Sequence, residues 1–322
     1  MPTLPLGIDL GTGRIRIALL ERGITSPTTL RSVVTRELRP SNTALETTTH
    51  VAKLLAEMLA ELGTSERRCF VSVCEPEALV RRVAFPKMSR AERERAARFE
   101  AMRFVTFPVD EAHIRVLPIA GNENEFVVGV ARRAAIERRL AILKLAKLRP
   151  VAIDHDAFAW RRAVPQYDAL LDLGFSGATL HVFGSELPYS ETFELGGEQI
   201  TQGIARSLGI DRDTAERRKR TLGLAGAGEA ARDRLLETLA TAFIDLRASG
   251  FSDVRSLGLA GNGARLTGIV EDIEAVTAVR TQLVEFPAAL ASGLPPDVTR
   301  AAAPDWMLAY GLALHGETKD AT

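Results

Sequence analysis

Residues 7–20 read GIDLGTGRIRIALL, and this stretch decides how the rest of the sequence is interpreted. Apolar residues alternate with polar ones on both sides of Gly11-Thr12-Gly13, a pattern that predicts a β-hairpin with glycine at its tip. Asp9 falls near the end of the first strand, where a buried carboxylate is costly unless a cation or hydrogen-bond donors meet it. Taken alone, the stretch is also compatible with an ordinary surface hairpin.

The same pattern returns at residues 169–183, which read ALLDLGFSGATLHVF. An apolar strand again ends in an aspartate, Asp172, before a glycine turn and a second strand. Two copies of strand, aspartate, glycine turn and strand are hard to explain as unrelated surface turns. The sequence therefore contains the same predicted hairpin twice.

A third glycine cluster lies in residues 254–269, VRSLGLAGNGARLTGI. An apolar strand precedes Gly261-Asn262-Gly263, and an apolar helical stretch follows. Glycines at such a junction let a ligand approach the backbone, and the N–H groups at a helix start attract anions. Junctions of this kind are common in α/β proteins. This one gains weight because it accompanies the two hairpins.

The composition is that of a globular protein without a strong electrostatic preference. The 322 residues include 46% hydrophobic and 25% charged ones, with 41 basic and 41 acidic side chains. The formal net charge is zero, so no positive field attracts nucleic acid, and nucleic acid is not expected as a partner. The N-terminus has no basic start typical of a signal peptide, and no run is long and apolar enough for a transmembrane helix, so we expect a cytoplasmic location.

The two cysteines agree with that location. Cys69 and Cys74 lie on opposite faces of one predicted strand, so no disulfide between them is expected, as in a reducing compartment. With no histidine nearby they also make a poor metal site.

The remaining sequence predicts a helix backing a sheet and a separate small unit. Residues 41–62 show helical periodicity, with apolar residues on one face. Residues 69–149 alternate short strands with helices, one of them capped by Ser89, and read as a small α+β insertion in a larger fold. Trp160 and Trp306 fit core positions on helices.

Two glycine-tipped hairpins from two lobes would surround a run of phosphates with backbone N–H groups and the hydroxyls of Thr12 and Ser176. Asp9 and Asp172 would then lie on either side of the phosphate tail. Because Mg²⁺ keeps its waters and is commonly held through them, two such carboxylates suit a nucleotide-bound magnesium. Arg16, on the outgoing strand, is either a phosphate contact or a solvated strand residue.

GIDLGTG, LLDLGFSGATL and LGLAGNGARL resemble the phosphate-one, phosphate-two and adenosine motifs of the actin, heat-shock protein and sugar-kinase ATPase superfamily. Within it, the sequence is similar to the PilM family of type IV pilus assembly proteins, actin-like proteins related to the cell-division protein FtsA. The resemblance to this branch rests on RRVAFPKMSRAERERAARFEAMRFVTFPVDEAHIRVLPI at 81–119, LGGEQITQGIARSLGI followed by TAERRKRTLG, and WMLAYGLALHG.

The resemblance implies an α/β fold of the actin-like (ribonuclease H-like) type, with two lobes around an ATP cleft and an inserted small α+β domain. The implied divisions are residues 1–68 and 150–166 for the first lobe, 69–149 for the inserted domain, 167–300 for the second lobe, and 301–322 for a C-terminal helix that returns to the first lobe.

The resemblance also implies a site for ATP or ADP with Mg²⁺. The phosphates would contact Gly11, Thr12, Gly13 and Arg16 on one side and Gly174, Ser176 and Gly197 on the other. Glu216 and Lys219 would contact the ribose and adenine, and Gly261, Asn262 and Gly263 would pass beneath the base. Asp9 and Asp172 would hold the metal through water. The family commonly has lysine at the position of Arg16 and glycine at that of Asn262. Asparagine tolerates a left-handed backbone, so binding is expected to persist, whereas arginine does not serve as a proton donor at neutral pH.

The implied function is a cytoplasmic nucleotide-binding scaffold in the inner-membrane platform of a type IV pilus or related secretion machine. Its implied partners are the cytoplasmic N-terminal peptide of a PilN-type membrane protein, held between the small domain and the first lobe, and other platform proteins. The membrane would be reached only through that partner, and self-association is left open. None of Gln166, Gln199 and Gln202 has a motif that places it beside an attacking water, so binding is better supported than turnover.

Three alternatives stay open at this point. A small-molecule kinase of the same superfamily usually needs a larger substrate domain than residues 69–149 provide. An FtsA-like filament former that attaches to membrane by itself would call for an amphipathic anchor, whereas the tail LALHGETKDAT is short and polar. The third alternative is a pseudo-ATPase whose cleft holds no nucleotide.

Overall fold

The stretch at residues 7–20 folds as the predicted hairpin. Its two strands run antiparallel, with Asp9 opposite Arg16. Ile8, Ile15 and Ile17 are fully buried, as expected where alternate residues of both strands face the same core. The glycine turn between the strands leaves the hairpin tip outside that core.

The computed structural model describes residues 3–22, 28–38, 44–119, 121–184, 187–224, 226–251, 253–286 and 296–317. Its strands and helices, in chain order, are β1 (Leu6–Leu10), β2 (Arg14–Glu21), β3 (Thr29–Glu37), α1 (Ala44–Leu62), β4 (Arg68–Val73), β5 (Ala78–Ala84), α2 (Arg90–Ala101), β6 (Ala112–Ile119), β7 (Asn122–Arg132), α3 (Arg133–Leu145), β8 (Arg149–His155), α4 (Asp156–Ala163), β9 (Ala169–Leu173), β10 (Ala178–Phe183), β11 (Pro188–Phe193), α5 (Gly197–Leu208), α6 (Arg212–Leu222), α7 (Glu229–Ala248), β12 (Ser256–Ala260), α8 (Ile269–Thr277), β13 (Arg280–Leu283) and α9 (Pro296–Ala313).

Two five-stranded sheets share one topology. The first has the order β3-β2-β1-β4-β8 and the second β11-β10-β9-β12-β13. In each, three antiparallel strands are followed by two strands parallel to the first of them. The repeated hairpin in the sequence is therefore the start of a repeated sheet, and the two sheets form the two predicted lobes.

Helices α4 and α9 join the lobes through one shared core. This core contains Leu20 and Phe70 from the first sheet, Leu170 from the second, and both tryptophans. Trp160 is 2% exposed and Trp306 8% exposed, so their predicted core positions are confirmed. Where the two helices meet, α4 has Ala159 and Ala163 and α9 has Gly311, and these small residues let the two backbones come close together.

A third sheet, of order β5-β7-β6, forms the small unit together with α2. Its core contains Phe85, Phe107 and Phe126. Helix α2 begins after Ser89, whose hydroxyl accepts the N–H of Glu92 while the Glu92 carboxylate accepts the N–H of Ser89. This capping box confirms the predicted helix start.

The small sheet covers a narrower range than residues 69–149, the range predicted for the inserted domain, and those domain bounds stay a prediction. Strand β4 pairs with β1 in the first sheet, and Ile142 and Leu143 of α3 pack in the core beneath that sheet with Leu55 of α1. The cause is that β4 and α3 each carry an apolar face that the first sheet buries. The three-stranded sheet itself lies between residues 78 and 132.

The C-terminal helix α9 contributes to the core shared by both lobes, and residues 318–322 of the segment assigned to it lie outside the described residues. Over the part of the chain that is described, no helix combines the length and apolar character needed to cross a membrane.

Candidate functional site

The two hairpin tips meet at a cleft of about 1550 Å³ between the lobes. Thr12 Oγ1 lies 3.0 Å from Ser176 Oγ, each hydroxyl coming from one tip. At Gly13 a Cβ atom would lie only 2.7 Å from the Cβ of Phe175. The tips are thus in direct contact, and glycine is needed for that approach.

The structure brings every residue predicted for the site to the wall of this cleft. The residues are Asp9, Gly11, Thr12, Gly13, Arg16, Asp172, Gly174, Ser176, Gly197, Glu216, Lys219, Gly261, Asn262 and Gly263. They come from both lobes: from the two hairpin motifs, from the turn at 261–263, and from the segments that contain Gly197, Glu216 and Lys219. Which atoms of a ligand each one contacts stays a prediction.

Asp9 lies behind the first tip and is only 8% exposed. Arg16 Nη1 donates a hydrogen bond to Asp9 Oδ2 at 2.7 Å, and both side chains are about nine-tenths buried. Burial raises the pKa of Asp9 although the charge of Arg16 opposes the rise. Arg16 is therefore not a solvated strand residue, because it forms a buried ion pair in the cleft wall.

Asp172 ends β9 at the matching place in the second lobe. Burial and then the charge of Asp9 raise the pKa of Asp172 to about 7. The charge of Arg16 lowers the pKa of Asp172 but does not cancel the effect of burial, which is the largest cause of the rise. A further cation beside Asp172 would be electrostatically favoured.

The glycine turn after β12 lies directly against this carboxylate. Gly261 has a φ of +79°, and a Cβ there would be 2.4 Å from Asp172 Oδ1 and 2.4 Å from the carbonyl oxygen of Leu173. Only glycine satisfies both the left-handed backbone and the close approach. The next residue, Asn262, accepts a hydrogen bond at Oδ1 from Arg14 Nη1 at 3.1 Å.

A hydrogen-bonded group supports the start of α5 on the second-lobe side. Lys219 Nζ donates to the carbonyl oxygen of Gly197 at 2.9 Å and lies 2.7 Å from Glu216 Oε2. Thr201 Oγ1 donates to Glu216 Oε2 at 2.6 Å. Burial alone would raise the pKa of Glu216, but the hydrogen bonds from Lys219 and Thr201 lower it to about 2.

Gln199, to which no motif assigned a role, has a structural role. Its Oε1 accepts the N–H of Gly196 at 2.8 Å, and its Nε2 donates to the carbonyl oxygen of Ser176 at 3.3 Å. It links the second hairpin tip to the start of α5.

An ion pair crosses the mouth of the cleft. Arg220 Nη1 of α6 donates to Glu37 Oε1 of β3 at 2.9 Å, and Arg14 Nη2 donates to the same oxygen at 2.7 Å. Glu37 is about half exposed, so this contact between the lobes is screened by solvent.

Several side chains in the cleft wall were missed in the sequence. Asp156 follows β8 directly and hydrogen-bonds Ser72 and Cys74, and burial raises its pKa. Its signal was available, since an acid at the end of an apolar strand is the pattern that identified Asp9. Asp305 of α9 had no such signal, because its contacts with Arg14 and Arg265 join distant parts of the chain.

A second charged group lies where the small sheet meets the second lobe. The carbonyl oxygen of Glu75 accepts a hydrogen bond from Thr192 Oγ1 at 3.3 Å, and its carboxylate lies 3.5 Å from Arg81 Nη1. Burial raises the pKa of Glu75 to about 7 against the opposing charge of Arg81, and Glu191 adds to the rise.

The two cysteines and the buried His181 do not form a metal site. Cys69 and Cys74 are free thiols, and burial raises the pKa of Cys69 to about 12. His181 Nδ1 is 2.8 Å from Ser190 Oγ, and burial lowers the pKa of His181 to about 3. Among the residues that the structure describes, no three His, Cys, Asp or Glu side chains are grouped closely enough to hold a metal ion.

Comparison with known proteins agrees with this architecture. A family model described as type IV pilus assembly protein PilM matches residues 7–317. The comparison with curated proteins found no match. A solved structure titled PilM-PilN type IV pilus biogenesis complex contains a chain 25% identical to this one, with 98% of each chain covered and a TM-score of 0.83.

Two more distant structures share the fold alone. The ethanolamine utilization protein EutJ from Carboxydothermus hydrogenoformans is 15% identical, with 98% of this chain and 90% of that chain covered and a TM-score of 0.60. Component A of the (R)-2-hydroxyglutaryl-CoA dehydratase of Acidaminococcus fermentans is 9% identical, with 98% and 97% covered and a TM-score of 0.50.

The predicted actin-like two-lobed α/β fold is confirmed by these likenesses and by the repeated sheets. The family match over residues 7–317 includes both five-stranded sheets and the small sheet, which lies between β4 and β8 in the chain. The chain belongs to the PilM family of type IV pilus assembly proteins.

Proposed function

We propose that this protein is a cytoplasmic nucleotide-binding scaffold of the inner-membrane platform that assembles type IV pili or serves a related secretion machine. It binds ATP or ADP between its lobes. The observation that carries the proposal is the meeting of two glycine-tipped hairpins, with Thr12 Oγ1 3.0 Å from Ser176 Oγ, beside the buried Asp9 and the half-buried Asp172. Backbone N–H groups at such tips suit phosphate oxygens.

In this proposal each wall of the cleft contacts a different part of the nucleotide. The first hairpin tip and Arg16 contact the phosphates from one side, and Gly174, Ser176 and Gly197 contact them from the other. Glu216 and Lys219 lie on the ribose side. The residues at 261–263 pass beneath the base, and the close approach of Gly261 to Asp172 supports a tight turn there.

The donor set fits magnesium that is bound together with a nucleotide. Two carboxylates with raised pKa, Asp9 and Asp172, face the phosphate end. Mg²⁺ typically takes one or two carboxylates, waters and substrate phosphates. When bound, the ion would neutralise phosphate charge. Asp9 and Asp172 would hold it through water.

The proposed partner is the cytoplasmic N-terminal peptide of a PilN-type membrane protein. Support comes from the PilM-PilN complex, whose matching chain is 25% identical to this one over 98% of its length. Contact with the membrane would then pass through that partner, and other platform proteins would bind around it. We assign no catalytic residue.

Calorimetric titration tests both parts of the proposal. We expect Mg-ATP to bind with micromolar or tighter affinity, and Asp172→Asn to weaken it by about tenfold, or about 1.4 kcal/mol. Asp233→Asn, an exposed residue of α7 outside the cleft, is the matched control and should bind as the wild type does. Equal affinity in the wild type and Asp172→Asn would contradict the site.

The PilN-type peptide is titrated afterwards into the nucleotide-loaded protein. Binding of both ligands supports the scaffold, and the change in peptide affinity caused by ATP gives their coupling free energy. Nucleotide binding without peptide binding would contradict the proposed partner and leave the nucleotide site intact.

A further inference from the structure

A second cavity, of about 470 Å³, lies outside the cleft where α3 ends and β8 begins. Three apolar and three basic residues line it: Leu140, Leu148, Pro150, Lys144, Lys147 and Arg149. Leu148 is 5% exposed and belongs to the core beneath the first sheet, whereas Leu140 is 41% exposed. The apolar part of the lining therefore runs from that core out to solvent.

The basic residues of this cavity have no acidic counterpart in its lining. Lys144, Lys147 and Arg149 are all exposed, and in the part of the chain that the structure describes none of them forms an ion pair. Arg68 lies opposite Arg149 on the adjacent strand, but it is already paired with Glu66 at 2.6 Å. The cavity is therefore a local positive site on a chain whose formal net charge is zero.

One of these charges occupies a position that usually holds glycine. Helix α3 ends in a Schellman motif, in which the N–H of Leu148 donates to the carbonyl oxygen of Leu143 at 2.9 Å and the N–H of Lys147 to that of Lys144 at 3.1 Å. Lys147 has a φ of +57°, a left-handed backbone that glycine adopts more readily. The negative end of the helix dipole offsets part of this strain. What lysine adds over glycine at this position is a cation beside the cavity.

We propose that this cavity binds an acidic segment of a partner protein. An apolar side chain of the segment fills the space beside Leu140, and the carboxylates on either side of it contact the three basic residues. Charge complementarity carries the choice of partner, because a basic rim around an apolar hollow matches an apolar anchor between acidic residues. The inference goes beyond the proposed function, since it requires neither the nucleotide nor the PilN-type peptide.

The shape of the cavity favours a peptide over a bilayer surface. Leu140 belongs to a concave wall, whereas the apolar residues that hold a protein on a membrane insert into the acyl boundary. A carboxylate of a peptide can also form a bidentate pair with the guanidinium of Arg149. Strand β8 is the last strand of the first sheet in the described part of the chain, and an extended segment can lie along such an edge.

Fluorescence anisotropy with a labelled synthetic peptide tests the proposal. The probe has central leucines flanked on both sides by glutamates, and the control peptide has glutamines in their place. At low ionic strength the acidic probe should bind the intact chain with a Kd of roughly 10–100 μM. The double variant Lys144→Glu/Lys147→Glu should weaken binding by about tenfold. The matched control is Lys53→Glu/Lys87→Glu, the same change of charge at two exposed lysines outside the cavity.

Two single variants test the apolar wall and the left-handed position. Leu140→Ser should weaken binding of the probe about fivefold, because it removes apolar contact. Lys147→Gly should raise the urea midpoint of unfolding, because glycine relieves the strain, and should weaken binding about threefold. A lysine that served only the fold would not combine these two effects. Circular dichroism establishes that each variant is folded.

The outcomes separate a peptide site from a solvated basic surface and from a membrane contact. Equal binding of the glutamate and glutamine probes, or wild-type affinity in the folded Lys144→Glu/Lys147→Glu variant, overturns the inference. Cosedimentation with vesicles of phosphatidylglycerol and phosphatidylcholine tests the other occupant. If the wild type but not the double variant sediments with these vesicles, and neither binds the acidic probe, the membrane is the occupant and the peptide site is overturned.

Discussion

Replacing Gly311 with alanine should destabilise the core that joins the two lobes. Gly311 lies on α9 where this helix crosses α4, and a Cβ there would be 2.0 Å from the carbonyl oxygen of Ala159 and 3.0 Å from the Cβ of Ala163. Ordinary van der Waals contact begins near 3.4 Å. The two backbones would have to separate by about 1.4 Å, in an interior packed like a crystal.

The magnitude follows from the kind of atom that is in the way. Overpacking a core usually costs about 1–3 kcal/mol, because side chains leave their rotamers or the backbone shifts. The obstructing atom here is a backbone carbonyl, which has no rotamer to change, so we expect a loss of about 3 kcal/mol in the free energy of unfolding. At a typical urea dependence this lowers the unfolding midpoint by roughly 1 M.

Tryptophan fluorescence during urea unfolding measures this effect directly. The protein has two tryptophans, and both Trp160 and Trp306 belong to the core around α4 and α9. Gly129→Ala is the matched control, because a Cβ at this strand position meets nothing within 4 Å and is expected to be neutral or stabilising by about 0.5 kcal/mol. If Gly311→Ala is as stable as Gly129→Ala, the close α4–α9 contact is refuted.

Three further predictions follow from the site and its surroundings. Because burial raises the pKa of Glu75 to about 7, the native protein keeps a proton that the unfolded chain releases. Raising the pH from about 4.5 to 7 should therefore lower the free energy of unfolding of the wild type by about 2–3 kcal/mol relative to that of Glu75→Gln. If urea unfolding shows the same stability difference between wild type and Glu75→Gln at pH 5 and at pH 8, this prediction is contradicted. Gly261→Ala should weaken Mg-ATP binding by about tenfold, because its Cβ would lie 2.4 Å from Asp172 Oδ1 on a left-handed backbone. Wild-type affinity in calorimetry would contradict a role of the turn at 261–263 in the nucleotide site. Lys219→Met removes the hydrogen bonds from Lys219 Nζ to α5 and should lower the free energy of unfolding by about 1–2 kcal/mol. The control Lys53→Met, at an exposed position, should cause no measurable loss. Equal losses in the two variants would refute the proposal that Lys219 stabilises the start of α5.

Features with a local signature were predictable from the sequence. The hairpin at residues 7–20 needs glycine between two alternating strands, and both requirements are visible in one short stretch. Its repetition at 169–183 indicated the second lobe, and the structure repeats the whole sheet order. Asp156 carried the same signature as Asp9, an acid at the end of an apolar strand, and was predictable on the same grounds.

Features that depend on distant contacts were not predictable in this way. Nothing near Asp305 in the sequence indicates that Arg14 lies 3.4 Å from it, because 291 positions separate the two residues. Helix α3 follows a strand of the small sheet and precedes a strand of the first sheet, and only the folded chain shows that Ile142 packs beneath the first sheet. Such choices depend on the total packing of the sheets rather than on the residues of one element.

The most direct measurement of the central claim is a crystal structure of this protein grown with a saturating concentration of a non-hydrolysable ATP analogue and Mg²⁺. We predict electron density for the phosphates between the turns at 11–13 and 174–177, with the base above the turn at 261–263. Density for the analogue at another place on the protein, or an unoccupied cleft under these conditions, would contradict it.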